Sequence, residues 1–402
     1  MSALEVAVTG LGIAAPHGDD LDTLFAALMR GDSAIRPVFP ELPKPAAAAT
    51  VDFDAARWFT KLQLAGVDRV SQLAVAAAEL AMRDAGLDAN AVAPERIGVF
   101  AGCGMGGAAA LEAGYRGNGR VPPLTIPAFM PNAPASHVAM RHRAQGPVLT
   151  YSVACASSSL AIAEAAKAVQ CGEVDIAIAG GSEALIVPGV VLAWQAMQTL
   201  AGFAPGEAAT AVRPFAADRG GFALGEGAAF VILESAAHAR GRAARRRATL
   251  SGWGSSCDAT HLTKPDVEGQ ARALRAALRK AGLQPGDVGY CNAHGTATRI
   301  GDAVEGEALE TVWGNALDRL RVSSTKALHG HLLGAAGALE AVITVLALQR
   351  RQLPPNAHCD VPDPACMLNL VREPGTTAVH LEAAISSSFA FGGTNSVLLF
   401  TR

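Results

Sequence analysis

Apolar runs that end in glycine recur along the chain. Val6-Ala-Val-Thr-Gly-Leu-Gly12 reads as a buried strand entering a glycine turn, and Ala248-Thr-Leu-Ser-Gly-Trp-Gly254 repeats the pattern far downstream. After each occurrence comes a strand, a sharp turn of small residues and a long alanine-rich helix, at Leu149 to Val169 and at Arg321 to Leu348. This repetition predicts an α/β chain of two pseudo-duplicated halves, residues 1–247 and 248–402. Between them, the 3.6-residue period predicts an amphipathic helix at Arg69 to Ala85 closed by Gly86, and another at Glu268 to Ala281 closed by Gly282. Strands are expected at Ile97 to Ala101, Val174 to Ala179 and Val288 to Asn292, and two more bracket a glycine loop within Ala384 to Phe400. The Pro- and Gly-rich stretches 104–144 and 188–219 are expected to form a cap or a dimer-facing insertion.

Composition narrows the class without naming a chemistry. Half of the 402 residues are hydrophobic and only 17% are charged, which excludes a disordered chain. A net charge of -3 provides no global field for nucleic acid or an anionic membrane, so any acidic partner must be met by a local basic patch. Seven cysteines without a CxxC pair or a Cys/His metal spacing point to reduced thiols in a cytoplasmic protein. Met1 to Gly10 lacks a basic stretch ahead of an apolar one, and the helix from Ala335 to Leu348 carries Glu340. Neither a signal peptide nor an apolar run of ~18 residues able to span a bilayer is therefore expected.

Cys155, in Val153-Ala-Cys-Ala-Ser-Ser-Ser159, sits between a predicted strand and the helix that follows. A thiol there meets the unpaired amides of a helix N-terminus, which lower its pKa, and its own amide can face an attacked carbonyl oxygen. A small buried cysteine in a tight turn explains the same residues equally well. Two histidines shift that balance. His294 lies in Asn292-Ala-His-Gly-Thr-Ala-Thr298, ahead of Asp302 and Glu305, and His331 lies in Lys326-Ala-Leu-His-Gly-His-Leu-Leu-Gly-Ala-Ala-Gly337. Both follow predicted strands and both are flanked by glycines that admit a ligand.

Together with Val8-Thr-Gly-Leu-Gly12, Arg219-Gly-Gly-Phe-Ala-Leu-Gly-Glu-Gly227 and Phe389-Ala-Phe-Gly-Gly-Thr-Asn395, these segments make six ordered motifs over essentially the whole chain. The sequence resembles the β-ketoacyl-acyl-carrier-protein synthases of the thiolase-like superfamily, most of all the type II elongation enzymes. The resemblance implies a thiolase-like five-layered αβαβα fold and a decarboxylative Claisen condensation of an acyl group on Cys155 with malonyl-ACP. It makes Cys155 the nucleophile and His294 and His331 the donors that hold an enolate. Lys326 and Glu340 match a buried ion pair behind His331, and the amides of Cys155 and Phe391 match an oxyanion hole.

By the same resemblance, Thr296, Thr298 and Thr263 bind the pantetheine arm, and Phe389 and Phe391 form the gate of the acyl pocket. Met105 matches a position that limits acyl length, although a methionine there also serves as filler. The implied partner is an acyl carrier protein, for which Lys61, Arg69, Arg116 and Arg120 are the candidate docking cations. The Arg240 to Arg247 cluster reads instead as a solvated helix end. No metal or resident cofactor is required, because phosphopantetheine arrives on the carrier. A homodimer is implied, with pairing to a related subunit as the alternative. The pathway is fatty-acid or specialised polyketide or polyene synthesis.

Three departures stand out. Ala390 occupies a position usually held by glycine between the two phenylalanines, which calls gate mobility into question. His329 replaces a small polar residue, and either adds a proton-sensitive group near the site or faces solvent. The arginine pair common ahead of the helix at Arg69 is missing around Ala65-Gly-Val-Asp68, which favours a specialised carrier. A degradative thiolase would need a second cysteine near the last glycine loop, and Cys359 and Cys366 lie upstream of it. A non-catalytic chain-length-factor-like subunit would be expected to lack the nucleophile.

Overall fold

The computed structural model describes residues 5–89, 92–117, 120–378 and 380–402, so residues 1–4 of the stretch read for a signal lie outside it. In chain order the strands are β1 (Val6–Ala14), β2 (Arg36–Val38), β3 (Ala46–Ala49), β4 (Ile97–Gly102), β5 (Val148–Tyr151), β6 (Ile176–Glu183) and β7 (Leu224–Gly225). They continue with β8 (Gly227–Ser235), β9 (Ala248–Cys257), β10 (Tyr290–Asn292), β11 (Arg321–Ser323), β12 (Asn369–Leu370), β13 (Ala383–Phe389) and β14 (Thr394–Thr401).

The pseudo-duplication is written in the strand order. The first half runs β5-β4-β6-β8-β1 and the second β11-β10-β13-β14-β9, with β12 added at the far edge. Numbered by chain order within each half, both read 3-2-4-5-1. The directions repeat as well, since β4 is parallel to β5 and β6 as β10 is to β11 and β13. Antiparallel pairing of β1 with β9, Val6 opposite Leu250, joins the halves. A small sheet, β2-β3-β7, lies apart from them.

Five layers result. Helix Arg69–Asp84 covers β1, β8 and β6 on one outside, and helix Val267–Ala281 covers β9 and β14 on the other. Between the two strand sets lie helices Ser157–Gln170 and Ala336–Arg350, which pack on each other and on strands of both halves. The repeated glycine motif explains how the outer helices fit. A Cβ at Gly12 would lie 2.1 Å from the carbonyl oxygen of Ala77, and one at Gly254 would lie 2.1 Å from that of Ala273. Only glycine lets backbone approach backbone this closely.

Position in the middle layer explains one unexpected feature of the sequence. Segment Leu333–Arg350 is long and apolar enough to cross a membrane, despite Glu340, but 89% of it is buried inside the protein. A helix enclosed on all sides is apolar all round. The expectation that no run reaches that length is corrected here, with burial between two sheets as the reason.

The arginine cluster is also corrected in part. Arg242 holds the buried Glu234 at 2.6 Å and Arg247 pairs with Asp84, so two of its members staple β8 and the outer helix, while Arg240, Arg245 and Arg246 are exposed as a solvated helix end requires.

Candidate active site

The turn that carries Cys155 is built by local strain. After β5 the chain makes a single 3₁₀ turn, Ala154–Ala156, before helix Ser157–Gln170, and Ala154 adopts a left-handed φ of 49°. An alanine held there costs about 1–3 kcal/mol. Ser157 compensates by accepting from the amide of Val153 at 2.9 Å and donating to the carbonyl of Ala154 at 2.7 Å. The second half repeats the device with Leu333 at φ 46°, a turn Leu333–Ala335 and helix Ala336–Arg350. Gly334 thus stands where Cys155 stands in the first half. A side chain there would collide with Glu183, whose Oε2 would lie 2.5 Å from a Cβ.

Three segments bring one sulfur and two imidazoles together. His331 Nε2 lies 3.1 Å from Cys155 Sγ, and donor atoms of Cys155, His294 and His331 all lie within 4.8 Å of one another. The amide of Leu333 donates to His331 Nδ1 at 3.3 Å, so the ring proton sits on Nε2 and points at the sulfur. Small strand β7 fixes the His331 backbone, which donates to Ala223 and accepts from Gly225, both at 2.8 Å. The loop of His294 is fixed by Glu305, which accepts from the amides of His294 at 2.8 Å and Gly295 at 2.7 Å.

Burial dominates the electrostatics. It holds both His294 and His331 well below the usual imidazole range, with the Lys326 ammonium acting in the same direction. Burial also pushes the Cys155 thiol up to about 12, against the pull of Lys326. The expected pKa-lowering by the helix N-terminus therefore loses to desolvation. The resting site holds a protonated thiol beside neutral rings. Lys326 and Glu340 form an ion pair with both side chains fully buried.

The glycine loop after β13 closes over the sulfur. The amides of Phe391 and of Cys155 itself face the Cys155 sulfur and pull its pKa down against burial. The left-handed φ values fall at Gly392 (85°) and Gly393 (75°), and Ala390 is not among the positive-φ residues. Its Cβ therefore imposes no strain on the closed loop. The Phe391 ring stacks on Trp194 with centroids 6.2 Å apart, and Asn395 Nδ2 ties the loop to Asp258 at 2.6 Å.

The comparisons agree with this geometry. Residues 3–239 match the family model for the β-ketoacyl synthase N-terminal domain, and residues 247–360 match that for the C-terminal domain. The chain belongs to the β-ketoacyl synthase family. It is 41% identical to nodulation protein E of Rhizobium meliloti (strain 1021) over 406 residues, 99% of each chain. It is 36% identical over 410 residues to 3-oxoacyl-[acyl-carrier-protein] synthase 2 of Staphylococcus aureus (strain MRSA252), covering 99% of this chain and 98% of the relative. A solved type II PKS acyl-carrier protein in complex with its ketosynthase bound to the hexaketide superposes with a TM-score of 0.91, at 28% identity and full coverage of both chains.

In this β-ketoacyl synthase a cavity of about 440 Å³ takes in Cys155, His294, His331, Thr263, Thr296, Thr298, Phe389 and Phe391. The hydroxyls of Thr296 and Thr298 lie 3.0 Å apart on its wall. Phe389 is buried, with its ring edge-on to His294 at 6.1 Å. Other expected residues lie elsewhere. Met105 is 48% exposed and does not line the cavity, because its loop turns outward where Glu183 captures the amides of Gly104 and Met105. Arg69 is committed to the buried Glu226 at 2.6 Å and is no free docking cation. Arg116 pairs with Glu112 on its own helix, and Lys61 and Arg120 are exposed, away from the cavity lining.

His329 neither faces solvent nor titrates near neutrality. It is fully buried, bonds Thr325 at 2.9 Å and the carbonyl of Gly330 at 2.8 Å, and burial lowers its pKa to about 3. Two residues of the site were not anticipated. Glu183 joins the Gly104 loop to the amide of Gly334 at 3.0 Å, and Trp194 stacks on Phe391. Glu183 ends an ordinary apolar strand and Trp194 sits in an apolar helix, so periodicity alone marks neither.

Proposed function

We propose that this protein is an elongating β-ketoacyl-ACP synthase that performs a decarboxylative Claisen condensation on thioesters borne by an acyl carrier protein. The observation that carries the reading is the convergence of Cys155, His294 and His331 on one cavity. Cys155 attacks the acyl thioester, and its thiol proton leaves with the carrier's pantetheine sulfur. Malonyl-thioester then binds with its carbonyl oxygen against His294 and His331, and loss of carbon dioxide leaves an enolate held by their N–H groups. The enolate carbon bonds to the acyl carbonyl, and the amides of Cys155 and Phe391 hold the oxyanion. Its collapse breaks the bond to sulfur, releases 3-oxoacyl-ACP and returns a thiolate that takes a proton from solvent.

Neutral rings suit this task, because a protonated ring would deliver its proton to the enolate carbon and quench it, and a strongly basic one would take up a proton instead of donating a hydrogen bond to the enolate. No metal or resident cofactor enters the cycle. Among the described residues strand β5 pairs only with β4, and Val148 and Leu149 on it are exposed, which supports self-association along that edge. All seven cysteines are free thiols, in keeping with the cytoplasm.

The test is mass spectrometry after incubation with an acyl-carrier thioester or a cerulenin-type inhibitor. An adduct on Cys155 is expected, and none at saturation sinks the reading. Cys155→Ala abolishes condensation while malonyl decarboxylation persists, whereas His331→Ala suppresses decarboxylation.

A further inference from the structure

Two cations stand at the mouth of the catalytic cavity without a partner. Lys264 lies on the loop after β9, and Arg299 opens helix Arg299–Trp313. Both line the cavity that contains Cys155, both are exposed, and among the described residues neither makes an ion pair. Asp363 lies within electrostatic reach of Arg299 but is taken by Arg219. The cavity lining holds one carboxylate, Asp258, and its oxygens already accept from Asn395 Nδ2 at 2.6 Å and from the amide of Asp266 at 3.1 Å. In a chain of net charge -3, this rim carries uncompensated positive charge.

Polarity also changes in order of burial. The rim cations are exposed, Thr298 is half-buried, and Thr296, Cys155, His294 and His331 are all buried. A pantetheine arm has the matching sequence of groups: a phosphate ester at its outer end, amides along its length and a thioester at its tip. We propose that Lys264 and Arg299 clamp the phosphate ester at the outer end of the pantetheine arm. Arg299 supplies the forked donor suited to phosphate and Lys264 a mobile point charge. The clamp rests on the reading of Cys155 as acceptor from pantetheine thioesters, and it gives the site a means of recognising the arm apart from the acyl chain.

The phosphate can belong to a carrier protein's serine ester or to coenzyme A, and one experiment separates the sources. Cys155 acylation rates are compared with the same acyl group on pantetheine lacking phosphate, on coenzyme A and on a carrier protein. The Lys264→Ala/Arg299→Ala protein is expected to lose about tenfold or more with the carrier thioester, the loss corresponding to one or two charge-assisted hydrogen bonds. The same loss with coenzyme A shows that phosphate alone is read. The rate with phosphate-free pantetheine is expected to match the unmodified protein, and Arg299→Lys to restore part of the lost rate. An equal loss on phosphate-free pantetheine, no loss on either phosphate-bearing thioester, or a loss with the carrier alone overturns the clamp. Absence of acylation of the unmodified protein by all three sinks the functional reading itself.

Discussion

His331 Nε2 sits 3.1 Å from Cys155 Sγ across 176 positions of sequence, with the His331 ring oriented by the amide of Leu333. Burial keeps the imidazole neutral and pushes the thiol up to about 12. The pair therefore rests as thiol and neutral ring, and an ion pair between them is not the ground state.

That state fixes how Cys155 reacts with a small alkylating agent. Thiolate fraction rises about tenfold per pH unit below the thiol pKa. Iodoacetamide labelling of Cys155, followed by intact mass, should accelerate by that factor through roughly pH 7 to 10 without levelling. A plateau below about pH 8 would show that the helix terminus outweighs desolvation after all.

Lys326 and Glu340 are both fully buried, so neither tolerates losing its partner. Lys326→Met should cost about 3–5 kcal/mol in urea unfolding, because Glu340 is left alone in an apolar layer. Burial already pushes the Glu340 carboxyl up to about 7, so the unpaired acid takes a proton at lower pH and the penalty grows as pH rises. Lys326→Met combined with Glu340→Leu should recover much of the loss. Strictly additive costs would show that the two groups are not coupled.

Trp194 stacks on Phe391 and meets Phe222 edge-on at 5.4 Å, and Phe222 in turn meets His331 edge-on at 5.2 Å. Removing a stack worth about 0.5–1.5 kcal/mol loosens the Phe391 loop over Cys155. Trp194→Ala should raise the Cys155 labelling rate by about two- to tenfold, the rate equivalent of that energy, while Trp194→Phe stays near the parent value. An unchanged rate in the alanine variant removes Trp194 as a brace. Ala390→Gly should alter acyl transfer by less than about twofold, since the left-handed conformations fall at Gly392 and Gly393.

His329 supplies a test of buried charge away from the reacting atoms. Its pKa is about 3 in the folded protein, against an ordinary 6.5. Between those values the unfolded chain binds one more proton, so stability is full above pH ~6.5 and falls on acidification by about 1.4 kcal/mol per pH unit for this group. His329→Asn should flatten the pH dependence of unfolding by about that slope between pH ~6.5 and 5. An unchanged slope would place the ring in contact with water.

Much of this architecture was readable in linear order. The glycine-punctuated strands at Val6 and Ala248, the turn at Cys155 and the histidines after β10 and β11 are local patterns, and period and turn chemistry are local properties. The alternating elements and the family motifs therefore pointed to duplicated layers and to Cys155, His294 and His331 as the side chains that meet.

What remained hidden depends on which surfaces meet. Arg69 looks like a free cation until Glu226 is brought against it, and His329 like a switch until the fold buries it against Thr325 and Gly330. Segment Leu333–Arg350 resembles a membrane span because a protein interior and a lipid interior select the same side chains. The direction of the Cys155 shift, the partners of Glu183 and the bare cations at the rim belong to the same class. Sequence determined the elements and the reactive groups, because these follow from neighbours a few residues apart. Tertiary structure decided charge state, pairing and access, because desolvation and Coulomb energy depend on distances through space between residues far apart in the chain.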